Sequence, residues 1–449
     1  MDLDKVRFRE HIGIVSNDTS TDQFSFLVSP LKNRPGIEKE AYVILNHPDF
    51  GDSCPALAIV KEMKSYEEVA GSTLTDRVGK MLASAEIVGY VDLRNDVRDD
   101  VRPMHALLIP PNPGSRVYMP YVEFLEDTFS RNVEGRAFKQ ALHIGKTESF
   151  ATTMKENVRP INFYLDAEDF TTKHSLIAAV EGAGKTSLAA VIVEELATKT
   201  GHPTVVLDPF GEYSTVGAHG KDPETQTENE DPPSKQYPIN LSVTILTTQS
   251  EEVTKSLEKN RKALLENRKI SIRSIPSQWS SPPNEKAERE TRETIAKNVK
   301  ANQVTVINPA GLEPQEKRNL FDYCLSVLWK SRLTQSIEPF FAVIEDAETI
   351  ARDLLEILAH EGGKTGVSLC LLTTYPTELG GKIMSHMGNQ LLGKTTDGDD
   401  LGYLKNMALE KSDLLPKLKP GEWIINGISQ KQPTKVFARQ RHSLPVQTD

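Results

Sequence analysis

Between residues 10 and 125 the apolar positions fall in short runs, "HIGIVS", "QFSFLVSP", "AYVILNHP", "ALAIVKEM" and "AEIVGYVDLR", broken by turn-forming pieces such as "HPDFGDS" and "PPNPGSR". Short strands at this spacing, with no long helical segment among them, predict a small β-barrel. From about residue 170 the rhythm changes. Wholly apolar runs, "SLIAAV", "TVVLDPF", "QVTVINPA", "FFAVIED" and "GVSLCLLTT", now alternate with helical stretches. Apolar strands separated by helices predict a parallel sheet covered by helices, so the expected fold class is α/β.

Two segments interrupt that second pattern. "AHGKDPETQTENEDPPSKQYP" (218–238) is polar and proline-containing, and reads as an exposed loop. "PSQWSSPPNEKAERETRETIAKNVKA" (276–301) begins as a turn and becomes a charged helix, whose plainest reading is a solvated face. The expected organisation is a barrel with its linker over 1–150, a second domain over 151–442 with a helical insertion at about 245–300, and a tail over 443–449. No repeat of solenoid period is present.

Composition narrows the classes. The 449 residues leave room for two or three domains, and 38% hydrophobic with 26% charged residues is ordinary for a packed protein. No run of about 18 apolar residues occurs, and "MDLDKVRFREHIG" lacks the apolar core of a signal peptide, so a cytoplasmic chain away from membranes is expected. Cys54, Cys324 and Cys370 have no metal-ligand spacing and are expected to be buried small side chains. The net charge of -10 excludes a chain that coats nucleic acid over its whole surface. It leaves room for a local basic channel. Lys405, Lys411, Lys417, Lys419, Lys431, Lys435, Arg439 and Arg441 give the last fifty residues a basic bias that a solvated surface and a DNA contact explain equally well.

The candidate chemistry starts at "LIAAVEGAGKTSLAAVIVEELA" (176–197). A glycine-rich turn between strand and helix aims backbone N–H groups at phosphates, and the helix N-terminus adds its dipole. Glu181, Gly182, Ala183, Gly184, Lys185, Thr186 and Ser187 form that cradle, with Lys185 reaching the β/γ-phosphates of ATP and the Thr186 hydroxyl coordinating Mg²⁺. Ala179 stands where such a loop normally begins with glycine, which costs little if its φ is negative. The second element is "PFFAVIEDAETI" (339–350), an apolar strand ending in Glu345 and Asp346. Alone, two such acids are more often a solvated strand end. With a phosphate loop upstream, Glu345 is the expected metal-site carboxylate, and Asp346 the one that orients or activates water.

The third element, "TVVLDPFGEYS" (204–214), carries a resemblance. "DPFGEY" is similar to the signature of the HerA-like ATPases, a branch of the HerA/FtsK hexameric DNA motors, with Phe210 in place of histidine. "HIGKTESFA", "KHSLIAAVEGAGKTS", "VTVINPAGL", "HEGGKTGVSLCLLTTYPTEL" and "LKPGEWIINGISQKQPTKVFARQR" resemble further family segments in the expected order, over roughly residues 10 to 442. The resemblance implies a HAS-type barrel followed by a RecA-like P-loop ATPase domain. It implies Lys185 and Thr186 on nucleotide and Mg²⁺, Glu345 and Asp346 as the Walker B pair, and Asp208 and Glu212 near the active site at a subunit boundary.

The chain departs from the family pattern at several positions. Gly363 stands where an arginine is expected, leaving Lys364; Thr374 and Tyr375 replace a sensor glutamine and arginine ahead of the shared Pro376; Lys394 replaces an arginine. Asp346 is one methylene shorter than the expected base. Arg332 is a candidate replacement cation or an ordinary helix end. Two functions follow as expectations. One is a hexameric ATPase that moves duplex DNA with a NurA-type nuclease or other effector, in DNA end processing, repair or defence. The alternative is a weakly hydrolysing or inactive paralogue that serves as a nucleotide-dependent scaffold or regulatory ring component; a metabolic P-loop kinase fits the barrel and "DPFGEY" poorly.

Overall fold

The computed structural model describes residues 8–28, 37–67, 79–94, 104–121, 124–125, 128, 132–133, 136–137, 140–151, 159–216, 241–251, 253, 269–277, 279, 285–406, 411–427 and 433–441. The expected loop at 218–238 and the tail at 443–449 lie outside them. The chain forms two compact units, Met1–Asp166 with Ser429–Phe437, and Ala167–Ile428 with Ala438–Asp449.

In the first unit the expected short strands appear as β1 (Phe8–Thr19), β2 (Gln23–Val28), β3 (Tyr42–His47), β4 (Gly51–Glu67), β5 (Gly79–Val91), β6 (Met104–His105) and β7 (Arg116–Pro120). Their order is β2-β1-β7-β3-β4-β5-β6, and β2 also pairs with β5. That last pairing closes a barrel of six antiparallel strands, leaving β6 as a short extension, and closure removes the open edges a flat sheet would expose. Large and small residues alternate inside. Phe24 pairs with Ala85 and Phe26 with Ala83 across β2 and β5, so the rings fill space the alanines leave. Gly13 permits the tightest approach, because a Cβ there would lie 2.5 Å from the Leu27 carbonyl and 2.6 Å from the Phe26 ring. Two short strands, β8 (Asn132–Val133) and β9 (Arg136–Ala137), pair with each other. The unit then runs on through a hairpin of β10 (Ala141–Ala151) and β11 (Arg159–Asp166). Residue 150 falls inside that hairpin, and the units divide at its end.

The second unit is built on β12 (His174–Ala178), β13 (Thr204–Leu207), β14 (Ser242–Thr247), β15 (Lys269–Ser274), β16 (Gln303–Asn308), β17 (Phe340–Ile344), β18 (Val367–Thr373), β19 (Met387–Leu392) and β20 (Glu422–Asn426). They lie in the order β20-β19-β12-β18-β17-β13-β16-β14-β15, parallel throughout except for antiparallel β20. The central strands are buried along their whole length, which is why they read as unbroken apolar runs. Within 245–300, β14 and β15 extend the sheet, and the charged helix at Glu285–Asn298 buries one face through Ala287, Thr291 and Ile295.

Around the sheet run the helices α1 (Ala167–Thr172), α2 (Lys185–Thr200), α3 (Glu285–Asn298), α4 (Pro314–Leu333) and α5 (Arg352–Thr365), followed by α6 (Pro376–Leu379), α7 (Gly381–Met384) and α8 (Gly398–Asn406). Phe340, Ala342 and Ile344 of β17 face one core with Leu320 and Leu328 of α4 and Leu355 and Leu358 of α5. The alternate residue Phe341 meets Phe170 of α1 edge-on, with ring centres 6.1 Å apart. Parallel pairing places the C-terminal ends of β12, β13, β17 and β18 along one edge, where α/β proteins gather their ligands. Cys54, Cys324 and Cys370 are free and buried, as expected. Among the described residues no helix is long and apolar enough to cross a membrane.

Candidate functional site

At that edge β12 passes through residues 179–184 into α2. Gly182 (φ 73°) and Gly184 (φ 99°) take left-handed conformations that residues with a Cβ adopt at a cost, and these two give the loop its turn. The rest of the loop hangs on its neighbours. The Ala179 N–H donates to the Thr373 carbonyl (3.3 Å), the Val180 N–H to the Lys394 carbonyl (2.8 Å), and the Gly421 N–H to the Ala183 carbonyl (3.0 Å). Ala179 is not among the positive-φ residues, and its methyl group fits because residue 393 is glycine: a Cβ at Gly393 would stand 2.8 Å from it.

Lys185 opens α2 and donates from Nζ to the carbonyls of Ala179 (2.9 Å) and Val180 (3.5 Å) and to Thr374 Oγ1 (3.0 Å). All three donors of an ammonium therefore have acceptors. The next residue, Thr186, donates from Oγ1 to Glu212 Oε2 at 3.1 Å. Ala183 is buried under the loop, whereas Glu181, Gly182 and Ser187 are exposed on it.

The "DPFGEY" turn follows β13. Asp208 is fully buried, and its carboxylate accepts from the backbone N–H groups of Phe210 (3.3 Å), Gly211 (2.7 Å), Glu212 (3.0 Å) and Tyr213 (2.9 Å). Burial pushes its pKa up to about 6, against the pull of these donors. With both oxygens taken up this way, Asp208 shapes the turn that presents Glu212. The Tyr213 hydroxyl donates to Glu345 Oε1 at 2.6 Å. Glu345, at the tip of β17, is pushed up to about 8, first by burial and then by the nearby Asp208 and Glu212 charges, against hydrogen bonds from Tyr213 and Thr186. Asp346 is half-buried with φ 47°, and burial raises its pKa while Lys185 lowers it.

Lys185, Thr186, Glu212, Glu345 and Thr374 thus meet at one place, with Asp346 facing Lys185. Lys394 contributes its main chain, through the carbonyl that holds Val180. Gly363 and Lys364 are in the last turn of α5, immediately before β18 begins at Val367, so they lie at the opposite edge of the sheet from Thr374. Arg332 is there too, donating to the carbonyls of Thr365 (2.6 Å) and Ile337 (2.8 Å). It ties down helix ends and takes no part in this chain's phosphate-loop cluster.

The structure adds residues that the pattern left unassigned. Tyr213 joins the turn to β17. Arg441 donates to the Glu212 carbonyl (3.1 Å) and Thr215 Oγ1 (3.4 Å), while Arg439 pairs with the buried Glu195 of α2 at 2.8 Å. The signal for Tyr213 was present in "DPFGEY"; the arginines gave none beyond a basic bias. The oxygen donors Thr186, Glu212 and Glu345 suit a hard cation. Among the described residues no group of three or more His, Cys, Asp or Glu is arranged to hold a metal ion by itself.

A family model described as the central domain of the helicase HerA matches residues 142–374, a span that includes the phosphate loop, the Asp208 turn and both strand tips. A probable helicase of Methanocaldococcus jannaschii is 23% identical, over 95% of this chain and 90% of that protein. The DNA double-strand break repair helicase HerA of Pyrococcus furiosus is 21% identical, over 95% and 92%. Similar solved structures include VirB4 of Thermoanaerobacter pseudethanolicus (13% identity, 67% of this chain and 97% of that one, TM-score 0.41). Another is the genome packaging NTPase B204 of Sulfolobus turreted icosahedral virus 2 with ATP-gammaS (10%, 60% and 98%, TM-score 0.36). With a match spanning more than half its length, the chain belongs to the HerA helicase family.

Proposed function

We propose that this chain is an ATP-driven DNA translocase that works as a hexameric ring on duplex DNA. The observation that carries this reading is the convergence of Lys185 and Thr186 with Glu212, Glu345 and Thr374 at the C-terminal edge of a parallel sheet. In it, Lys185 exchanges its loop carbonyls for β/γ-phosphate oxygens, and Thr186 and Glu345 would hold Mg²⁺, which would supply positive charge against the phosphates. Asp208 and Tyr213 keep Glu212 and Glu345 in place, and a carboxylate from the turn after β17 takes the proton of the attacking water. Lys364, exposed at the far edge, suits a cation offered to a neighbouring subunit, a contribution typically worth about 10³–10⁵ in phosphoryl transfer. The barrel unit exposes Leu108 (81%) and Ile109 beside a Pro-rich turn, which supports docking of a NurA-type nuclease or another effector in DNA end processing, repair or defence.

ATP hydrolysis with and without duplex DNA, measured on a size-resolved sample, tests the reading. A ring with DNA-stimulated turnover that Lys185→Ala abolishes is expected; a protein that neither assembles nor turns over ATP overturns it. Gly363, in the place of an arginine, favours a second reading in which the ring binds nucleotide as a scaffold. ATP-dependent assembly without turnover would decide for that one.

A further inference from the structure

The turn that follows β13 is held through both kinds of main-chain group. Its N–H groups at Phe210, Gly211, Glu212 and Tyr213 all donate to the Asp208 carboxylate. Its carbonyls are met from elsewhere. Lys317 Nζ donates to that of Pro209 (3.3 Å), Ser214 Oγ to that of Gly211 (2.8 Å), the Val216 N–H to that of Tyr213 (3.0 Å), and Arg441 Nη1 to that of Glu212 (3.1 Å). In this turn Glu212 is therefore the residue whose N–H and carbonyl both end on charged side chains, an acid four positions back and an arginine 229 positions on. Hydrogen bonds with a charged partner are about twice as strong as neutral ones. The second nitrogen of the same guanidinium, Nη2, reaches Thr215 Oγ1 at 3.4 Å, so one planar fork spans the end of the turn. The Glu212 side chain meets α2, where its Oε2 accepts from Thr186 Oγ1 at 3.1 Å. A hydroxyl has one proton and two lone pairs, and with the proton given to Glu212 the lone pairs of Thr186 are left for a cation.

Resting on the reading of this site as one for ATP with Mg²⁺, we propose that Arg441 is a positioning residue: it holds Glu212 so that the Glu212 carboxylate takes the Thr186 proton and leaves the Thr186 lone pairs to the metal ion. Arg441 acts here only through Glu212. Residues that orient a metal ligand are typically worth about 10–100-fold in metal affinity. Glu212 meets the ligand directly and Arg441 stands one contact further out, so the arginine carries the smaller share. Lysine is a poor replacement, because a single ammonium does not reproduce the fork that bridges the Glu212 carbonyl and the Thr215 hydroxyl.

The test uses the full-length protein as wild type, Arg441→Ala, Arg441→Lys, Glu212→Ala and the double variant Arg441→Ala/Glu212→Ala. It reads the affinity for a fluorescent, non-hydrolysable ATP analogue as Mg²⁺ is titrated in from EDTA, together with the urea midpoint of the nucleotide-free protein. Glu212→Ala is expected to raise the Mg²⁺ concentration at half effect by about tenfold or more, and Arg441→Ala by more than about threefold. Arg441→Lys should shift it less than Arg441→Ala but by more than about twofold. Analogue affinity in EDTA should stay within about twofold of wild type throughout. The double variant should match Glu212→Ala within about twofold, since the residue through which Arg441 acts is already gone. The assignment is overturned if Arg441→Ala lowers the urea midpoint but shifts the Mg²⁺ dependence less than about threefold, as a purely structural anchor would. It is overturned equally if the two shifts multiply in the double variant, or if Arg441→Ala loses as much affinity in EDTA as in Mg²⁺. Should Arg441→Ala not fold, Arg441→Lys decides, and a shift below about twofold overturns the assignment. A wild type that ignores Mg²⁺ sinks the nucleotide–metal reading and this assignment with it; a Mg²⁺-dependent wild type with an unshifted Arg441→Ala sinks only the assignment.

Discussion

Tyr213 donates its hydroxyl to Glu345 Oε1 across 2.6 Å, and both groups are buried. The bond joins the turn after β13 to the tip of β17, so the acid expected at the metal site is positioned by a residue of a different motif. Tyr213→Phe removes the donor and leaves a buried carboxylate oxygen without it. The expected loss is about 1–3 kcal/mol of stability, read from urea denaturation. Glu345 should titrate higher still, since this hydrogen bond draws its pKa down. A variant as stable as wild type would show that the bond contributes nothing.

Glu345 and Asp208 also give the nucleotide-free protein a pH dependence. Burial raises both, to about 8 and about 6, from ordinary values of 4.5 and 3.8. Between the ordinary and raised values the folded state keeps protons that the unfolded chain has released. Their contribution is therefore full below about pH 4 and is lost as pH rises towards 8. In EDTA the urea midpoint should fall between pH 6 and pH 8, and Glu345→Gln should flatten that fall. A midpoint that rises over this range in wild type would contradict the sign.

Ala179 and Gly393 form a complementary pair. A methyl group at 393 would lie 2.8 Å from Ala179 Cβ and 2.9 Å from the Trp423 ring. Gly393→Ala is expected to cost about 1–3 kcal/mol by overpacking. Adding Ala179→Gly should return part of that loss, leaving the Trp423 clash. A double-mutant cycle measures the coupling, and strict additivity would show that the two positions do not share the space.

Arg439 and Glu195 form a buried ion pair at 2.8 Å, and Lys199 holds the other Glu195 oxygen at 2.8 Å. Breaking a buried pair costs about 3–5 kcal/mol when nothing replaces the partner. Because Lys199 remains, Arg439→Ala should lose less, about 2 kcal/mol, with α2 the first element to exchange its amides. Arg439→Lys should recover only part, because it lacks the planar fork of arginine.

The legible parts of this site were those that a few consecutive residues determine. Gly182, Gly184, Lys185 and Thr186 make their turn from local backbone preference, so "GAGKTS" between an apolar strand and a helix was enough. The strands β12, β13, β16, β17 and β18 were equally plain, since burial on both faces leaves an unbroken apolar run. Glu212 and Glu345 were legible as acids at strand ends, whereas the hydrogen bonds that orient them were not. Asp208 gives its oxygens to the main chain of its own turn, and Lys394 acts through a carbonyl that every residue type possesses. Strands β14 and β15 end the sheet with polar residues mixed among apolar ones, so their runs blended into the segment around them.

The arginine contacts place a condition on the order of events during synthesis. Arg439 reaches back 244 positions to Glu195, and Arg441 reaches back 229 to Glu212. A nascent chain can form the glycine turn and the first part of α2 while hundreds of residues are still to be added. The contacts of Arg439 with α2 and of Arg441 with the Asp208 turn nevertheless form only after residues 439–441 have cleared the ribosome exit tunnel. A ribosome-bound fragment that stops short of Arg439 should therefore hold ATP more loosely than one in which Arg439 and Arg441 are free to fold back.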